Sequence, residues 1–494
     1  MKMFGRFLTT AAAATMLFGT VLPANAEGIT YTPVSGGKIQ IEKYLIMDRE
    51  ANVPNITFDY AIEAGAAQNA SPDDPTHTMV YAGNDVNAIS GYSGIKINNT
   101  NPVTFATTDT TYTDIQKLPS TVTASIQHKT DGSNVNNDPV SKDHYAGTGE
   151  EWAATKKYAR HDIEIDFTSV QFKEPGIYRY IVTEVNPNST PVNTAPKVIT
   201  TAMVSNAVYN NAHGVDYDSD TRRVLDIYIN HKENTVNELE VKGYVLHENS
   251  NDAIVPFAYA GGNPETKADG FVNYYVTYDL AIEKKVDGNQ ASHDQYFQFD
   301  VTISNGGKNT KYDITGNYDV TTKINAINTS AHTNPTTITT DASGNAQFTI
   351  WLQNTQNAVV LGLSRNTYYE IKEDAALLTK MGYTKAIIVN KGITRTDDGT
   401  TVSYAPKEGT NNITAAAAQQ TGIGSLPADM KDYMKDVAAN NGITDDTWHE
   451  YTNYKNAIIP TGVIEAIAPG LIAVAVAGIA FFIYRKNSRK SAQH

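Results

Sequence analysis

Two lysines fall on strand faces that aliphatic residues otherwise occupy. Lys43 continues an alternating apolar run that begins at Ile39, and Lys284 continues a second one that begins at Leu280. Burial of a charged amine is costly, and it lowers the pKa of a lysine towards the point where the neutral amine is available. A neutral amine is a nucleophile, so these positions indicate covalent chemistry.

Glutamates and asparagines recur on the same predicted faces. Glu184 and Glu373 each end a later alternating run, and Asn273 and Asn453 lie inward in the strand that closes each half. A buried, protonated glutamate could polarise an amide carbonyl and move protons while a lysine attacks and ammonia leaves. The product would be an intramolecular isopeptide bond. The alternatives are a buried salt bridge or, for single residues, a snorkelling lysine, a capped glutamate and a turn asparagine.

The order Lys, Glu, Asn occurs twice along the chain, and this repetition favours the crosslinking interpretation. Strands must position these residues, and the composition agrees: the chain has 29 Tyr and 14 Phe but 3 Trp. Aromatic residues are frequent in strands, and Thr and Asn suit strands and the turns between them. We therefore predict an all-β fold.

Length, charge and composition narrow the function. At roughly 150 residues per domain, 494 residues suggest about three domains of material. The net charge of -14 argues against nucleic acid as a partner, and the absence of cysteine excludes disulfides and thiolate metal sites. The 11 histidines form no metalloenzyme motif. We predict no cofactor, no metal and no enzyme activity on an external substrate.

Both ends of the chain indicate export. Residues 1–26 combine a basic start, an apolar stretch and an A-x-A site, which is typical of a signal peptide. Residues 463–484 are apolar and are followed by a basic tail, as expected for a transmembrane segment. The sequence Ile-Ile-Pro-Thr-Gly at 458–462 precedes this segment. The alternative is an ordinary single-span anchor with an incidental Pro-Thr-Gly.

The order of Pro-Thr-Gly, apolar span and basic tail resembles that of Gram-positive sortase substrates. The chain also resembles the streptococcal T-antigen type of backbone pilin, most clearly in the segments IQIEKYL, PGIYRYIVTE, FVNYY, LAIEKKVDG, YYEIKED and YTNYKNAIIPTG. The resemblance implies two tandem immunoglobulin-like (CnaB-like) β-sandwich domains, at 27–276 and 279–456, and a sorting segment at 457–494.

The resemblance also implies roles for individual residues. Lys43 would bond Asn273 with help from Glu184, and Lys284 would bond Asn453 with help from Glu373. A pilin-type sortase would cut between Thr461 and Gly462 and pass the threonine to a lysine of the next subunit. The residue at the matching place is Lys267, in a stretch with loop composition, and Lys242 is the next candidate.

The resemblance further implies the partners: identical pilin subunits, accessory pilins, peptidoglycan and a host surface ligand, on a pilus anchored to the cell wall. The alternative function is a wall-anchored monomeric adhesin with the same crosslinked domains.

Two smaller predictions concern segments outside the repeated strands. The stretch 84–152 has the composition of surface loops or short edge strands, and 427–440 has helical spacing of apolar residues.

Overall fold

Alternation of apolar and polar residues produces long strands throughout this computed structural model. The structure describes residues 32–34, 36–67, 79–98, 102–113, 155–185, 214–217, 222–235, 238–248, 268, 270–321, 323–324, 331–365, 367–383, 385–397, 402–407, 419–421 and 446–456.

Fifteen described strands build the N-terminal sandwich, with a 3₁₀ turn at Tyr92–Gly94. They are β1 Thr32–Pro33, β2 Lys38–Asp48, β3 Ile56–Ala64, β4 Tyr81–Ala82, β5 Ile89–Ser90, β6 Lys96–Ile97, β7 Val103–Phe105, β8 Thr111–Tyr112, β9 Lys156–Asp166, β10 Gln171–Phe172, β11 Gly176–Val185, β12 Val215–Tyr217, β13 Arg222–His231, β14 Leu239–Glu248 and β15 Gly270–Tyr275. One sheet has the order β1-β14-β13-β11-β3-β7, with β4 beside β11. The other has the order β12-β15-β2-β9-β6, with β8 beside β9.

Thirteen described strands and one helix build the C-terminal sandwich. They are β16 Thr277–Asp287, β17 Phe297–Ser304, β18 Lys311–Gly316, β19 Lys323–Ile324, β20 Ala331–His332, β21 Thr337–Thr339, β22 Ala346–Leu352, β23 Asn357–Ser364, β24 Tyr368–Glu373, α1 Ala375–Met381, β25 Lys385–Asp397, β26 Val402–Pro406, β27 Gln419–Thr421 and β28 Thr447–Tyr454. The larger sheet runs β21-β18-β23-β16-β28-β25-β26, and β22-β17-β24 forms the facing sheet.

The lysine strand lies beside the last strand in each sandwich, and the two run parallel. In the N-terminal sandwich Lys43 of β2 is opposite Phe271 of β15. In the C-terminal sandwich Lys284 of β16 is opposite Tyr451 of β28. Because side chains alternate along a strand, the residue two positions after each aromatic faces the same side as the lysine.

Each sandwich has an apolar core made of the inward positions of both sheets. The C-terminal core cluster also includes residues from the other face of the β2–β15 sheet, namely Tyr44, Ile46, Val272 and Tyr274. The two sandwiches are therefore joined through apolar packing rather than through a bare linker.

Contacts at the β2–β3 connection strengthen this junction. Glu50 pairs with Arg395, and the amide of Asn52 donates to Asp313 Oδ2 at 2.9 Å. Gly362 has a φ of +70°, and a Cβ there would lie 2.8 Å from the Cα of Ala51. The close approach explains why a residue without a side chain occupies this position.

The all-β prediction is confirmed by these sheets. Short strands β4 to β8 fall within or beside the start of the stretch predicted as loops or edge strands.

Helix α1 was not predicted from the sequence. The carboxylate of Asp374 accepts a hydrogen bond from the Leu377 amide at 3.0 Å, and Gly382 follows the helix at a φ of +77°. These are ordinary helix start and stop signals, in a segment too short for periodicity to show.

Several predicted segments lie outside the described residues. They are the signal peptide at 1–26, the helix at 427–440 and the membrane span at 463–484. In the part of the chain that the structure describes, no helix has the length and apolar character needed to span a membrane.

Candidate crosslinking sites

The first triad consists of Lys43, Glu184 and Asn273, which meet in the core of the N-terminal sandwich. Their exposed fractions are 0%, 3% and 1%. Lys43 Nζ contacts Glu184 Oε2, and Asn273 Nδ2 donates to Glu184 Oε1 at 2.5 Å. One carboxyl group therefore bridges the amine and the amide.

Strand topology brings these residues together from distant parts of the sequence. Asn273 lies on β15 two residues beyond Phe271, the cross-strand partner of Lys43, so amine and amide share a face of one sheet. Glu184 enters from β11 in the facing sheet, where Tyr60 of β3 is its cross-strand partner. The acid is thus placed across the core from the two groups that it joins.

The second triad, Lys284, Glu373 and Asn453, repeats this arrangement in the C-terminal sandwich. Lys284 Nζ lies 3.0 Å from Glu373 Oε1, and Asn453 Nδ2 donates to the same oxygen at 2.6 Å. Lys284 Nζ also donates to the carbonyl oxygen of Tyr451 at 3.2 Å. All three triad residues are buried.

Aromatic rings close around both lysines. Lys43 Nζ lies 4.3 Å from the ring centroid of Phe58, and Lys284 Nζ lies 4.5 Å from that of Phe297. Phe58 and Phe297 occupy matching positions, two residues before Tyr60 and Phe299. These rings keep water away from both amines.

Burial changes the proton affinity of the second amine. Desolvation lowers the pKa of Lys284 to about 8, against an opposing effect of the Glu373 charge. Burial, followed by the nearby Glu373 charge, raises the pKa of Tyr451 well above its usual value. A neutral Lys284 amine is therefore accessible near physiological pH, as nucleophilic attack requires.

The geometry allows one specific reaction in each triad. Transfer of a proton from the lysine to the glutamate gives a neutral amine beside a carboxylic acid. The amine can then attack the asparagine carbonyl carbon while the acid assists departure of the amide nitrogen as ammonia. The structure thus brings together the three residues expected in each triad, but each glutamate accepts from the asparagine amide nitrogen instead of bonding the amide oxygen, and the reaction stays a prediction.

An aromatic pair beside each triad was missed in the sequence. Tyr60 and Phe271 have ring centroids 5.2 Å apart, and Phe299 and Tyr451 have centroids 5.0 Å apart. The Tyr60 hydroxyl donates to Glu184 Oε2 at 3.1 Å. Alignment of the two halves on their lysines and glutamates would have revealed these matched positions.

A buried histidine, His449, lies in the core of the C-terminal sandwich beside the second triad. His449 Nδ1 is 2.6 Å from Asn390 Oδ1, and its Nε2 is 2.6 Å from the Tyr369 hydroxyl. Burial lowers the pKa of His449 to about 3. The imidazole is therefore neutral at physiological pH, and it lies two residues from Tyr451 on the same face of β28.

Other predicted site residues lie outside the described residues: Thr461, Gly462 and Lys267. Lys242 is described, on β14, where its Nζ is 2.6 Å from Glu240 Oε1. Within the ranges that the structure covers, no group of His, Asp and Glu side chains is arranged to hold a metal ion.

Comparison with protein families gives one match. A family model described as a domain of unknown function, DUF7601, matches residues 278–414, which lie in the C-terminal sandwich. No curated protein matches the chain.

Comparison with solved structures gives pilus proteins. The major pilin of Streptococcus pyogenes has 15% identity and a TM-score of 0.39, over 86% of this chain and 100% of that chain. The T3.2 major pilin of the same species has 16% identity and a TM-score of 0.38, over 85% and 97%. A pilus-presented adhesin has 13% identity and a TM-score of 0.19, over 49% and 38%.

Proposed function

We propose that this protein is the structural subunit of a covalently polymerised cell-surface pilus, whose sandwiches are each closed by a self-made lysine–asparagine isopeptide bond. The observation that carries the proposal is the pair of buried triads. Each places an amine and an amide on neighbouring parallel strands and a carboxyl group across the core. A chain without cysteine has no disulfide to serve this purpose.

A buried ion pair elsewhere in the chain sharpens this interpretation. Arg179 and Asp226 are buried on β11 and β13 and form a bidentate pair, with distances of 2.8 and 2.7 Å. A guanidinium suits a permanent ion pair because it stays protonated and fits a carboxylate at two points. The triads instead use lysine, which can lose its proton, and they add an amide that can react.

Polymerisation follows from the sorting sequence. In this proposal a pilin-type sortase cleaves between Thr461 and Gly462 and joins Thr461 to Lys267 of the next subunit. Accessory pilins and peptidoglycan complete a structure anchored to the cell wall. The protein carries out no reaction on an external substrate, since Glu184 and Glu373 act once, on their own chain.

The test is a denaturing gel of wall material from producing cells, probed with antibody to residues 27–461. A heat-stable ladder of high mass is expected, and Thr461→Ala should abolish it. Lys267→Ala should leave export of monomer intact but remove the ladder, whereas Lys242→Ala is the matched control and should keep it. A single band near monomer mass in the wild type would favour the wall-anchored adhesin instead.

A further inference from the structure

The two carboxyl groups are held differently. The two carboxyl oxygens of Glu184 have different partners. Oε2 contacts Lys43 and accepts from the Tyr60 hydroxyl at 3.1 Å, while Oε1 accepts from Asn273. Glu373 places both the amine of Lys284 and the amide of its asparagine on Oε1. Its Oε2 is buried with no hydrogen-bond partner in the described part of the chain.

The position of one tyrosine hydroxyl differs between the two triads. Tyr60 is the cross-strand partner of Glu184, and Phe299 is the cross-strand partner of Glu373. The other ring of each pair is reversed: Phe271 is opposite the first lysine and Tyr451 is opposite the second. The tyrosine of the second site directs its hydroxyl at the Ile371 carbonyl oxygen, 3.5 Å away, rather than at the carboxyl group.

Resting on the crosslinking function proposed above, we propose that Tyr60 is a positioning residue for the first crosslink, holding Glu184 so that one oxygen faces the amine and the other faces the amide. The second site has a phenylalanine at this position and lacks this support. The Lys43–Asn273 bond should therefore form faster than the Lys284–Asn453 bond.

The positioned step balances without an added reactant. A proton passes from Lys43 Nζ to Glu184, and the Nζ lone pair attacks Asn273 Cγ. The Cγ–Nδ2 bond breaks as the Nζ–Cγ bond forms, and ammonia leaves with a second proton from Nζ, moved by the carboxyl group. The site ends with an isopeptide bond, ammonia and a protonated Glu184.

The rate of bond formation falls on the acid side of its pH profile, and the position of this acid limb is a measurement specific to a positioning role. A donor to a carboxylate favours the ionised form, which must accept the lysine proton. The groups that face Glu184 are Lys43, Asn273 and Tyr60, and β13 adds Arg223, whose guanidinium lies 5.1 Å from the Phe271 ring centroid. Loss of the Tyr60 hydroxyl should shift the acid limb of the first reaction to higher pH.

Groups around the second acid are also defined. Lys284 and Asn453 contact Glu373, and its charge also acts on Tyr451 and Tyr383. None of these places a hydroxyl on the carboxyl group at the position of Tyr60. Phe299→Tyr would supply one.

The experiment follows bond formation in the full chain. Chain that has been kept in denaturant since its synthesis, and so has not formed the bonds, is diluted into buffers of different pH, samples are quenched, and the two linked peptides are quantified by mass spectrometry. Tyr60→Phe should slow the first bond by about tenfold, the effect of one hydrogen bond to a charged group, and raise its acid limb. The second bond is the internal control and should not change.

Phe299→Tyr is the reciprocal variant and should speed the second bond and lower its acid limb. An unchanged first-bond rate in Tyr60→Phe, or a slower rate with an unchanged acid limb, would overturn the positioning role. If Tyr60→Phe fails to fold, Phe299→Tyr decides by the same criterion. Absence of both linked peptides in the wild type would instead refute the crosslinking function itself.

Discussion

The N-terminal and C-terminal sandwiches hold the same triad of lysine, glutamate and asparagine in different surroundings. In the first, Tyr60 adds a donor to the acid. In the second, Phe299 takes that position, and the core also contains the neutral His449. The repeat therefore keeps the lysine, glutamate and asparagine while the polar residues around them vary. Experiments can thus separate the role of the triad from the effects of its neighbours.

The largest effect should come from removal of the acids. Glu184→Ala and Glu373→Ala should each restore the mass of one ammonia to the chain and lower the free energy of unfolding of their own sandwich. By analogy with disulfides that close loops of this length, the loss is about 5 kcal/mol per crosslink. Intact mass and denaturant unfolding check this. A wild type at full sequence mass would contradict it.

The buried histidine should make the C-terminal sandwich sensitive to acid. The pKa of His449 is about 3 in the fold and 6.5 in its ordinary state, so the unfolded chain binds more protons between these values. Stability is then lost as the pH falls from 6.5 towards 3, by about 5 kcal/mol in total. His449→Gln should remove this dependence, as measured through the fluorescence of Trp351 and Trp448, both in this sandwich. A wild-type slope equal to that of the variant would contradict it.

Without its crosslink, Lys284 should make the stability of the C-terminal sandwich depend on pH in the alkaline range rather than the acid range. In Asn453→Ala no second bond forms, and Lys284 keeps a pKa of about 8, below the 10.5 of the unfolded chain. The unfolded state then binds more protons between those values, so stability should rise by about 3 kcal/mol as the pH rises from 8 to 10.5. Denaturant unfolding across this range measures it. The control Asn453→Ala with Lys284→Met should lack the rise, and a rise in that control would refute the assignment.

The smallest effect concerns the junction between the sandwiches. Gly362→Ala should cost about 1 to 2 kcal/mol for its left-handed backbone, plus the clash with Ala51. Gly36→Ala is the matched control, because Gly36 has a φ of +75° and no atom within 4 Å of an added Cβ. Thermal unfolding compares the two variants, and equal losses would show that the Ala51 contact contributes nothing.

Period-two patterns predicted which faces of the strands carry Lys43, Glu184 and Asn273, because alternation is a local property of the chain. The repeated order of lysine, glutamate and asparagine predicted that these residues form two matching triads. The positioning role of Tyr60 was not predictable in this way, since it depends on the register between β3 and β11. The same holds for His449, whose partners come from two other strands.

The parallel pairing of each lysine strand with the last strand has a mechanical consequence. In the C-terminal sandwich, with the two strands bonded at Lys284 and Asn453, a pull along the chain would pass from one strand directly into the other. Everything folded between those two residues would bear no tension, however long its loops. The C-terminal sandwich could therefore accept insertions between its crosslinked residues without weakening the fibre.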